Sequence, residues 1–373
     1  EAAQHIIENP TSPMSGEINW GGNTKSISEF NQPPLFFYLI AILIKIFGAN
    51  EFPLHCLIAI FSLLSIYYFD KILHHFQAKN ASFFLVIFAL CPAFVVNQNV
   101  MTDIPLLSMI LASTYYFLTG SDNKKSIILS FVFITLALLI KYSAIPFLGA
   151  LIIALILKKD FKNLKHLLIP ILAIVGWSIW NFFEFDHIHL LSRPRNGINI
   201  IRFPEFLCCL GAILLIGPFR ENKHNNIYYG IITTALSTGF MLSLFGFPHL
   251  TIYLQSIFLL NAITVLFFAL KGTITKNYRP QLFLILTLLC MSAFIIFFAP
   301  FIATRHILLT IPFLLFLIHL KNFNYSKNTK GIAIIISSLM LIGIGSADRN
   351  YANFYRAQAD LVSNIEGKIY PMR

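Results

Sequence analysis

Residues 281–299 read QLFLILTLLCMSAFIIFFA and contain no charged side chain. A stretch of this length and composition matches the roughly 20 apolar residues that a helix needs to cross the hydrocarbon core of a bilayer. Apolar runs separated by short polar segments recur from residue 52 to residue 346. The chain is therefore predicted to be an all-α polytopic membrane protein with about twelve transmembrane helices, several short enough to be tilted, kinked or partly re-entrant.

The composition of the whole chain agrees with this prediction. Hydrophobic residues make up 57% of the 373 residues and charged residues only 12%. Soluble domains carry roughly 25% charged residues, so a soluble protein this apolar has too little polar surface to cover itself. The formal net charge of +11 would fit a nucleic-acid partner, but the positions of the charges argue against one.

Twelve crossings divide the connecting loops into two sets. One set holds 16 of the 27 Lys and Arg residues but only 4 of the 16 Asp and Glu residues. The loops of this set are residues 70–80, 120–126, 158–165, 220–225, 271–280 and 321–330. The positive-inside rule places them in the cytoplasm. The net charge is then mostly a topology signal, and no nucleic acid is expected as a partner.

The polar ends of the chain share the opposite, outer side in this topology. Residues 1–51 are expected to form an outer loop with a juxtamembrane helix, which starts at two consecutive prolines and is too short to span. Residues 52–346 form the predicted transmembrane domain, and residues 347–373 an outer-face tail. Because both ends lie on one side, a first crossing is expected upstream of Glu1, and further sequence after the tail.

Three charged residues stand at the ends of apolar runs on the outer side, where ionisable groups are costly and often functional. Asp103 begins a run within MTDIPL, although a helix N-terminus also favours an acid for its dipole. Lys141 follows the run 127–140, where the alternative is a lysine that snorkels to the interface. Arg305 lies between two runs, within ATRH.

This inventory favours a reaction on a lipid-linked anionic substrate. A carboxylate can take a proton from a hydroxyl, and Lys or Arg can stabilise a phosphate leaving group. Phosphate contact by Arg193, Arg195 and Arg202 in the outer loop 186–202 competes with the alternative of a hydrated loop. No motif of nucleotide hydrolysis or zinc proteolysis occurs in the sequence.

A transporter or a flippase of lipid-linked glycans is the main alternative. Carboxylates in transporters usually lie near the bilayer midplane on broken helices. The apolar runs here are nearly free of charge at their centres, apart from Lys45 in the short first run, which weighs against transport. An inactive scaffold of the same fold is a third hypothesis.

Four segments resemble, in matching order, the motifs of one family. They are residues 31–38 (NQPPLFFY) with 45–48 (KIFG), 101–106 (MTDIPL), 139–146 (LIKYSAIP) and 304–312 (TRHILLTIP). The chain is similar in these segments to GT-C glycosyltransferases of the dolichyl-phosphate-mannose protein mannosyltransferase and aminoarabinose transferase type. It departs from their pattern at Gln32, where Lys or His is common, and at His306, where Tyr is common.

The resemblance implies a GT-C-like bundle with outer-face juxtamembrane helices. It implies a membrane glycosyltransferase that moves a hexosyl or pentosyl group, with inversion, from a polyprenyl-phosphate donor to a hydroxyl acceptor on a protein, lipid or glycan. The expected location is the bacterial inner (plasma) membrane, with the site facing the periplasm or exterior.

The resemblance also implies roles for single residues. Glu1 is expected to be the second member of the Asp-Glu catalytic pair of the family, and Asp103 the second-loop acid that helps organise the site. Lys141 and Arg305 are expected near the lipid phosphate. The identity of the sugar, the acceptor and any divalent metal are left open, and no further cofactor is expected.

Overall fold

The computed structural model of the chain describes residues 1–20, 23–29, 32–120, 123–192, 202–271, 279–299 and 301–366. The described chain is mostly helical, with one small hairpin near its start. Its elements are α1 (Ala2–Glu8), β1 (Glu17–Trp20), β2 (Asn23–Ser26), α2 (Leu35–Phe47), α3 (Glu51–His75), α4 (Ala81–Ala89), α5 (Pro92–Val95), α6 (Asp103–Thr119), α7 (Lys124–Ile140), α8 (Ile145–Leu157), α9 (Leu168–Phe185), α10 (Arg202–Ile213), α11 (Asn222–Leu244), α12 (Leu250–Leu270), α13 (Arg279–Phe298), α14 (Thr304–Ile307), α15 (Ile311–His319) and α16 (Lys327–Glu366).

Six of the described helical segments are long and apolar enough to cross a membrane. They are Glu51–His75, Asn163–Phe185, Asn222–Leu244, Leu250–Leu270, Gln281–Phe298 and Lys327–Ser346. The chain is thus an integral membrane protein. The other predicted crossings fall on shorter helices such as α6, α7 and α8, or on the broken pairs α4–α5 and α14–α15. The total of about twelve crossings stays a prediction.

The first 51 residues contain the one departure from an all-α chain among the described residues. Strands β1 and β2 pair antiparallel, with Glu17 opposite Ser26 and Trp20 opposite Asn23. The two glycines between the strands in the sequence are typical of hairpin turns, so the signal for this element was present in the composition. The all-α prediction is wrong over these strands because it weighed only hydrophobic runs.

The helix predicted after the two prolines is α2, which has 13 residues and is shorter than a crossing requires. It ends at Gly48, whose φ of +72° favours glycine. Helix α1 packs against α2 and buries Ala3 and Ile6. The first segment of the chain is therefore held on the bundle by its own apolar face.

Helices α6 and α7 form the antiparallel pair on which the candidate site is built. Two serines exchange hydrogen bonds between them: Ser113 Oγ donates to the carbonyl of Ser130, and Ser130 Oγ to the carbonyl of Ser113, both at 2.9 Å. Small residues allow such close approach of helices in membranes. Because the pair is antiparallel, the first residue of α6 and the residue after α7 lie at the same end of the bundle. We call this the site end.

Contacts at the opposite end join loops that the charge pattern assigned to one side. Asn80 Nδ2 donates to the carbonyl of Phe323 at 2.7 Å, and the Lys79 amide donates to Asn322 Oδ1 at 2.9 Å. The Lys158 ammonium lies 4.7 Å from the ring centre of Phe117. Three of the basic loops therefore gather at one end, as the predicted topology requires, while the side of the membrane that they face stays a prediction.

Helix α16 is continuous for 40 residues, a length of about 60 Å at 1.5 Å per residue. The hydrocarbon core of a bilayer is about 30 Å thick, so only half of this helix fits within it. Its apolar part ends at Ser346, at the predicted boundary of the outer-face tail. The division into residues 52–346 and 347–373 therefore falls inside a single helix.

One glycine fixes the close packing of α10 against α12, and replacing it gives a first prediction. A Cβ atom at Gly211 would overlap the backbone carbonyl oxygen of Phe258, and Asn261 Nδ2 donates to the Gly211 carbonyl at 2.7 Å. We expect Gly211→Ala to lower the free energy of unfolding by about 1–3 kcal/mol, as overpacked cores do. Denaturant unfolding in detergent micelles measures the loss. Gly230→Ala is the control, because a Cβ there meets no atom within 4 Å.

Candidate active site

An ion pair between Asp103 and Lys141 lies at the site end. Lys141 Nζ is 2.7 Å from Asp103 Oδ1, and the two side chains are 18% and 5% exposed. Asp103 is the first residue of α6, and Lys141 is the extended residue, with φ −160° and ψ 130°, that ends α7. The antiparallel packing of α6 and α7 therefore brings together two charges that the sequence had singled out separately.

Arg305 lies beside this pair in the short helix α14. Its Nη1 atom is 3.8 Å from the sulfur of Met101, two residues before Asp103, and its guanidinium is 5.3 Å from the ring centre of Phe301. No carboxylate among the described residues forms an ion pair with Arg305. Its charge is thus half-buried and uncompensated within the described part of the chain.

His306 joins the three charges, and its imidazole is neutral at neutral pH. It lies outside the six long apolar helices, in the connection between α13 and α15. Burial, together with the positive charges of Lys141 and Arg305, lowers the pKa of His306 to about 4, and the negative charge of Asp103 opposes this shift. The site therefore contains two cations and one carboxylate, which leaves it with a net positive charge.

Three buried polar atoms around the ion pair have no hydrogen-bond partner within the described structure. They are Thr102 Oγ1, Ser143 Oγ and His306 Nδ1. Each belongs to a residue next to, or two positions from, one of the three charged residues. An unpaired buried polar atom costs about 1–3 kcal/mol, and native proteins keep few of them. The site therefore has hydrogen-bonding capacity that a polar ligand or water can satisfy.

A cavity of about 470 Å³ is lined in part by Leu139, two residues before Lys141 in the chain. It is lined by Pro10, Thr11, Pro13, Pro34, Leu35, Tyr38, Leu139, Trp177 and Trp180. The two indole rings stack with their centres 5.1 Å apart and their planes 12° apart. We call this space the aromatic cleft. Its wall is apolar, and it reaches to within two residues of Lys141 along the chain.

The segment that follows α1 forms one wall of the aromatic cleft. Tyr38 Oη donates to the carbonyl of Pro10 at 2.6 Å, and Ser12 Oγ donates to Glu184 Oε1 at 2.6 Å. These bonds attach the segment to α2 and α9 at the site end. Glu1 is exposed and precedes α1, on the same part of the chain. Its predicted catalytic role stays a prediction.

Of the three arginines considered for phosphate contact in the loop 186–202, the structure describes one. Arg202 begins α10, and its Nη1 atom is buried without a hydrogen-bond partner among the described residues. Arg193 and Arg195 lie outside the described residues. In the described ranges, no three His, Cys, Asp or Glu side chains are grouped as metal ligands.

Residues 31–180 are the part of the chain that is similar in sequence to a known family. This range includes the two prolines before α2, Asp103 and Lys141, and it stops short of Arg305. Residues 31–180 match the model of the dolichyl-phosphate-mannose-protein mannosyltransferase family. The resemblance predicted from the motifs is confirmed over this range, which contains both members of the ion pair of the site. The helices that hold Asp103 and Lys141 lie within the range that is similar to this family.

Solved structures extend the similarity beyond the mannosyltransferase match. ArnT from Cupriavidus metallidurans bound to undecaprenyl phosphate superposes with a TM-score of 0.56 at 14% identity, over 93% of this chain and 57% of that protein. This chain therefore spans somewhat over half the length of ArnT, and the similarity is one of fold. ArnT in the apo state matches with a TM-score of 0.44 at 12% identity, over 100% of this chain and 75% of the other. No curated protein sequence matches the chain significantly.

Proposed function

We propose that this chain is a membrane glycosyltransferase that moves a sugar from a polyprenyl-phosphate donor to a hydroxyl acceptor, with inversion at the sugar carbon. The observation that carries the proposal is the net positive charge of the group formed by Asp103, Lys141 and Arg305. The aromatic cleft is connected to this group through Leu139, two residues before Lys141. A lipid phosphate has a matching shape, with an anionic head and an apolar chain. The match of residues 31–180 to the mannosyltransferase family supports the same reaction class.

In the proposed reaction, the acceptor hydroxyl attacks the anomeric carbon from the face opposite the phosphate. The bond between that carbon and the phosphate oxygen breaks, and its electron pair stays on the phosphate. Lys141 and Arg305 stabilise the negative charge that develops on the leaving group. A carboxylate takes the proton of the hydroxyl, a step that contributes roughly 10²- to 10⁴-fold to such rates.

The geometry favours different roles for the two predicted catalytic acids. Asp103 Oδ1 is held 2.7 Å from the Lys141 ammonium, and its side chain is only 5% exposed, so an acceptor hydroxyl has little access to it. We therefore assign Asp103 to positioning Lys141 against the phosphate. Glu1 is our candidate for the carboxylate that takes the proton, because it is exposed and immediately precedes α1, the helix whose following segment lines the aromatic cleft.

The proposed site faces the non-cytoplasmic side of a bacterial inner membrane. The basic loops around Asn80, Lys158 and Phe323 lie at the opposite end of the bundle, which supports this orientation through the positive-inside rule. An acceptor on a protein, a lipid or a glycan is reachable from that side. The sugar is a hexosyl or pentosyl group.

Turnover in detergent tests this function directly, because micelles contain no second compartment. The purified full-length protein is incubated with undecaprenyl phosphates carrying radiolabelled hexoses or pentoses and with an extract of membrane acceptors. We expect labelled acceptor and free undecaprenyl phosphate to appear, and Lys141→Ala to abolish both. Arg220→Ala, an exposed change at the opposite end, is the control.

Two outcomes would contradict the proposal. Movement of the labelled lipid between the leaflets of a liposome, without consumption of donor in detergent, would identify a flippase. Binding of the donor without turnover or movement would identify an inactive scaffold.

A further inference from the structure

Tyr142, the residue after Lys141, is the centre of a buried hydrogen-bonded chain. Its side chain is 1% exposed, and its hydroxyl lies 2.8 Å from Trp177 Nε1 and 3.0 Å from His189 Nδ1. His189 is itself only 3% exposed. These hydrogen bonds therefore join the connection after α7 to helix α9 and to the loop that follows α9.

The chemistry of the groups fixes the direction of the hydrogen bond between Trp177 and Tyr142. An indole N–H can only donate, so the Tyr142 oxygen accepts from Trp177. Tyr142 Oη and His189 Nδ1 share the second hydrogen bond, in which the hydroxyl donates when Nδ1 is unprotonated and accepts when Nδ1 carries the proton. Both bonds of the Tyr142 hydroxyl are thus satisfied, as a buried hydroxyl requires.

Lys141 is held from two sides as a result. Its ammonium contacts Asp103, while the adjacent Tyr142 is tied to α9. The backbone at Lys141 is extended between α7 and the turn that begins α8, and its amide donates to the Ala137 carbonyl at 2.9 Å. The side-chain bonds of Tyr142 add a connection from this extended segment to α9, which the backbone bonds do not supply.

We propose that Tyr142 is a positioning residue that fixes Lys141 for binding of the substrate phosphate, through its hydrogen bonds to Trp177 and His189. This inference rests on the proposed function, because it assigns Lys141 to a phosphate. The bond to Trp177 also connects Lys141 to the aromatic cleft, since Trp177 lines that cleft. Occupation of the cleft by an apolar chain and placement of the cation are thereby linked.

Hydrogen exchange of the ligand-free full-length protein tests the anchor without reference to any substrate. We expect Tyr142→Phe to accelerate amide exchange in peptides that cover residues 139–145. Tyr228→Phe is the matched control, because Tyr228 is also buried and donates to Asn261 at 2.7 Å, away from the site. Unchanged exchange at residues 139–145 in Tyr142→Phe would overturn the proposal.

Binding of undecaprenyl phosphate then tests whether Tyr142 acts through Lys141. Tyr142→Phe is expected to weaken binding about fivefold to tenfold, the equivalent of one neutral hydrogen bond. In a Lys141→Ala background, the same change is expected to have no further effect, since contacting residues are not additive. Equal losses in both backgrounds would overturn the proposal, because they show a general structural effect.

A second pair of variants covers the case in which Tyr142→Phe fails to fold. His189→Asn keeps a side chain that can donate to or accept from the hydroxyl of Tyr142 and is expected to retain wild-type binding, whereas His189→Ala is expected to weaken it. Equal binding by both variants would overturn the proposal. Failure of the proposed function gives a different result: wild-type protein that does not bind undecaprenyl phosphate, with exchange at residues 139–145 still faster in Tyr142→Phe.

Discussion

Lys141→Met is expected to destabilise the protein more than Asp103→Asn, and the double variant is expected to recover most of the loss. Removing Lys141 leaves the carboxylate of Asp103, only 5% exposed, without its cation, at a cost of about 3–5 kcal/mol. Removing Asp103 leaves a lysine with 18% exposure, which retains part of its hydration. The free energy of unfolding of Asp103→Asn is therefore expected to fall by about 1–3 kcal/mol.

The double variant separates stability from activity. Removing both charges of a buried ion pair leaves no unpaired buried ion, and replacement of such pairs by well-packed apolar residues of similar volume is often neutral or stabilising. Asp103→Asn with Lys141→Met should therefore unfold near the wild-type denaturant midpoint in detergent, yet transfer no sugar from a radiolabelled lipid donor. That combination assigns the pair to function, since the folded state survives without it.

Asp70→Asn is the matched control for this set. Asp70 pairs with His74 at 3.2 Å on the surface, where such pairs contribute about 0–1 kcal/mol. Its loss should leave both stability and transfer unchanged. If the single losses at Asp103 and Lys141 simply add in the double variant, or if the double variant stays active, the assigned role of the pair is wrong.

Arg305→Ala is expected to weaken the binding of undecaprenyl phosphate by about 10- to 100-fold while the protein keeps nearly its full stability. Hydrogen bonds to charged groups are worth about 1.5–3 kcal/mol, which sets this range. Arg305 forms no ion pair with a described carboxylate, so its removal leaves no anion of the described chain unpaired. Equilibrium binding of tritiated undecaprenyl phosphate to protein in detergent gives the affinity.

Two further variants sharpen the assignment of Arg305. Arg305→Lys keeps the charge but loses the planar fork that binds phosphate in bidentate fashion, so we expect an intermediate affinity. Arg220→Ala removes an exposed arginine at the opposite end and should bind as the wild type does. Wild-type affinity in Arg305→Ala would remove this residue from the phosphate site.

The membrane class of the protein could be predicted because it depends on local composition. Residues 281–299 are apolar throughout, and the structure makes Gln281–Phe298 one of its six long apolar helices. Asp103, Lys141 and Arg305 could also be predicted from local sequence, because a charge at the end of an apolar run is easily recognised. The hairpin of β1 and β2 was not predicted, because its signal in the sequence is a pair of glycines and not an apolar run.

The neutral members of the site were not predictable in this way. Thr102 and Ser143 are ordinary residues in the sequence, and only their unpaired buried oxygens set them apart. His306 was noticed as a departure from a motif, whereas its neutral state comes from burial next to two cations. Burial and mutual distance are properties of the folded chain, and no pattern of residue types encodes them locally.

The sequence by itself determined that this chain lies in a membrane, where its apolar helices run and which charges stand at their ends. Only the tertiary structure decided that Asp103 and Lys141, 38 positions apart, form an ion pair, and that Arg305 lies against Met101, 204 positions earlier. The physical reason is that helix formation depends on near neighbours in the chain. The pairing of charges depends on which helices pack together, and that follows from the shape of the whole bundle.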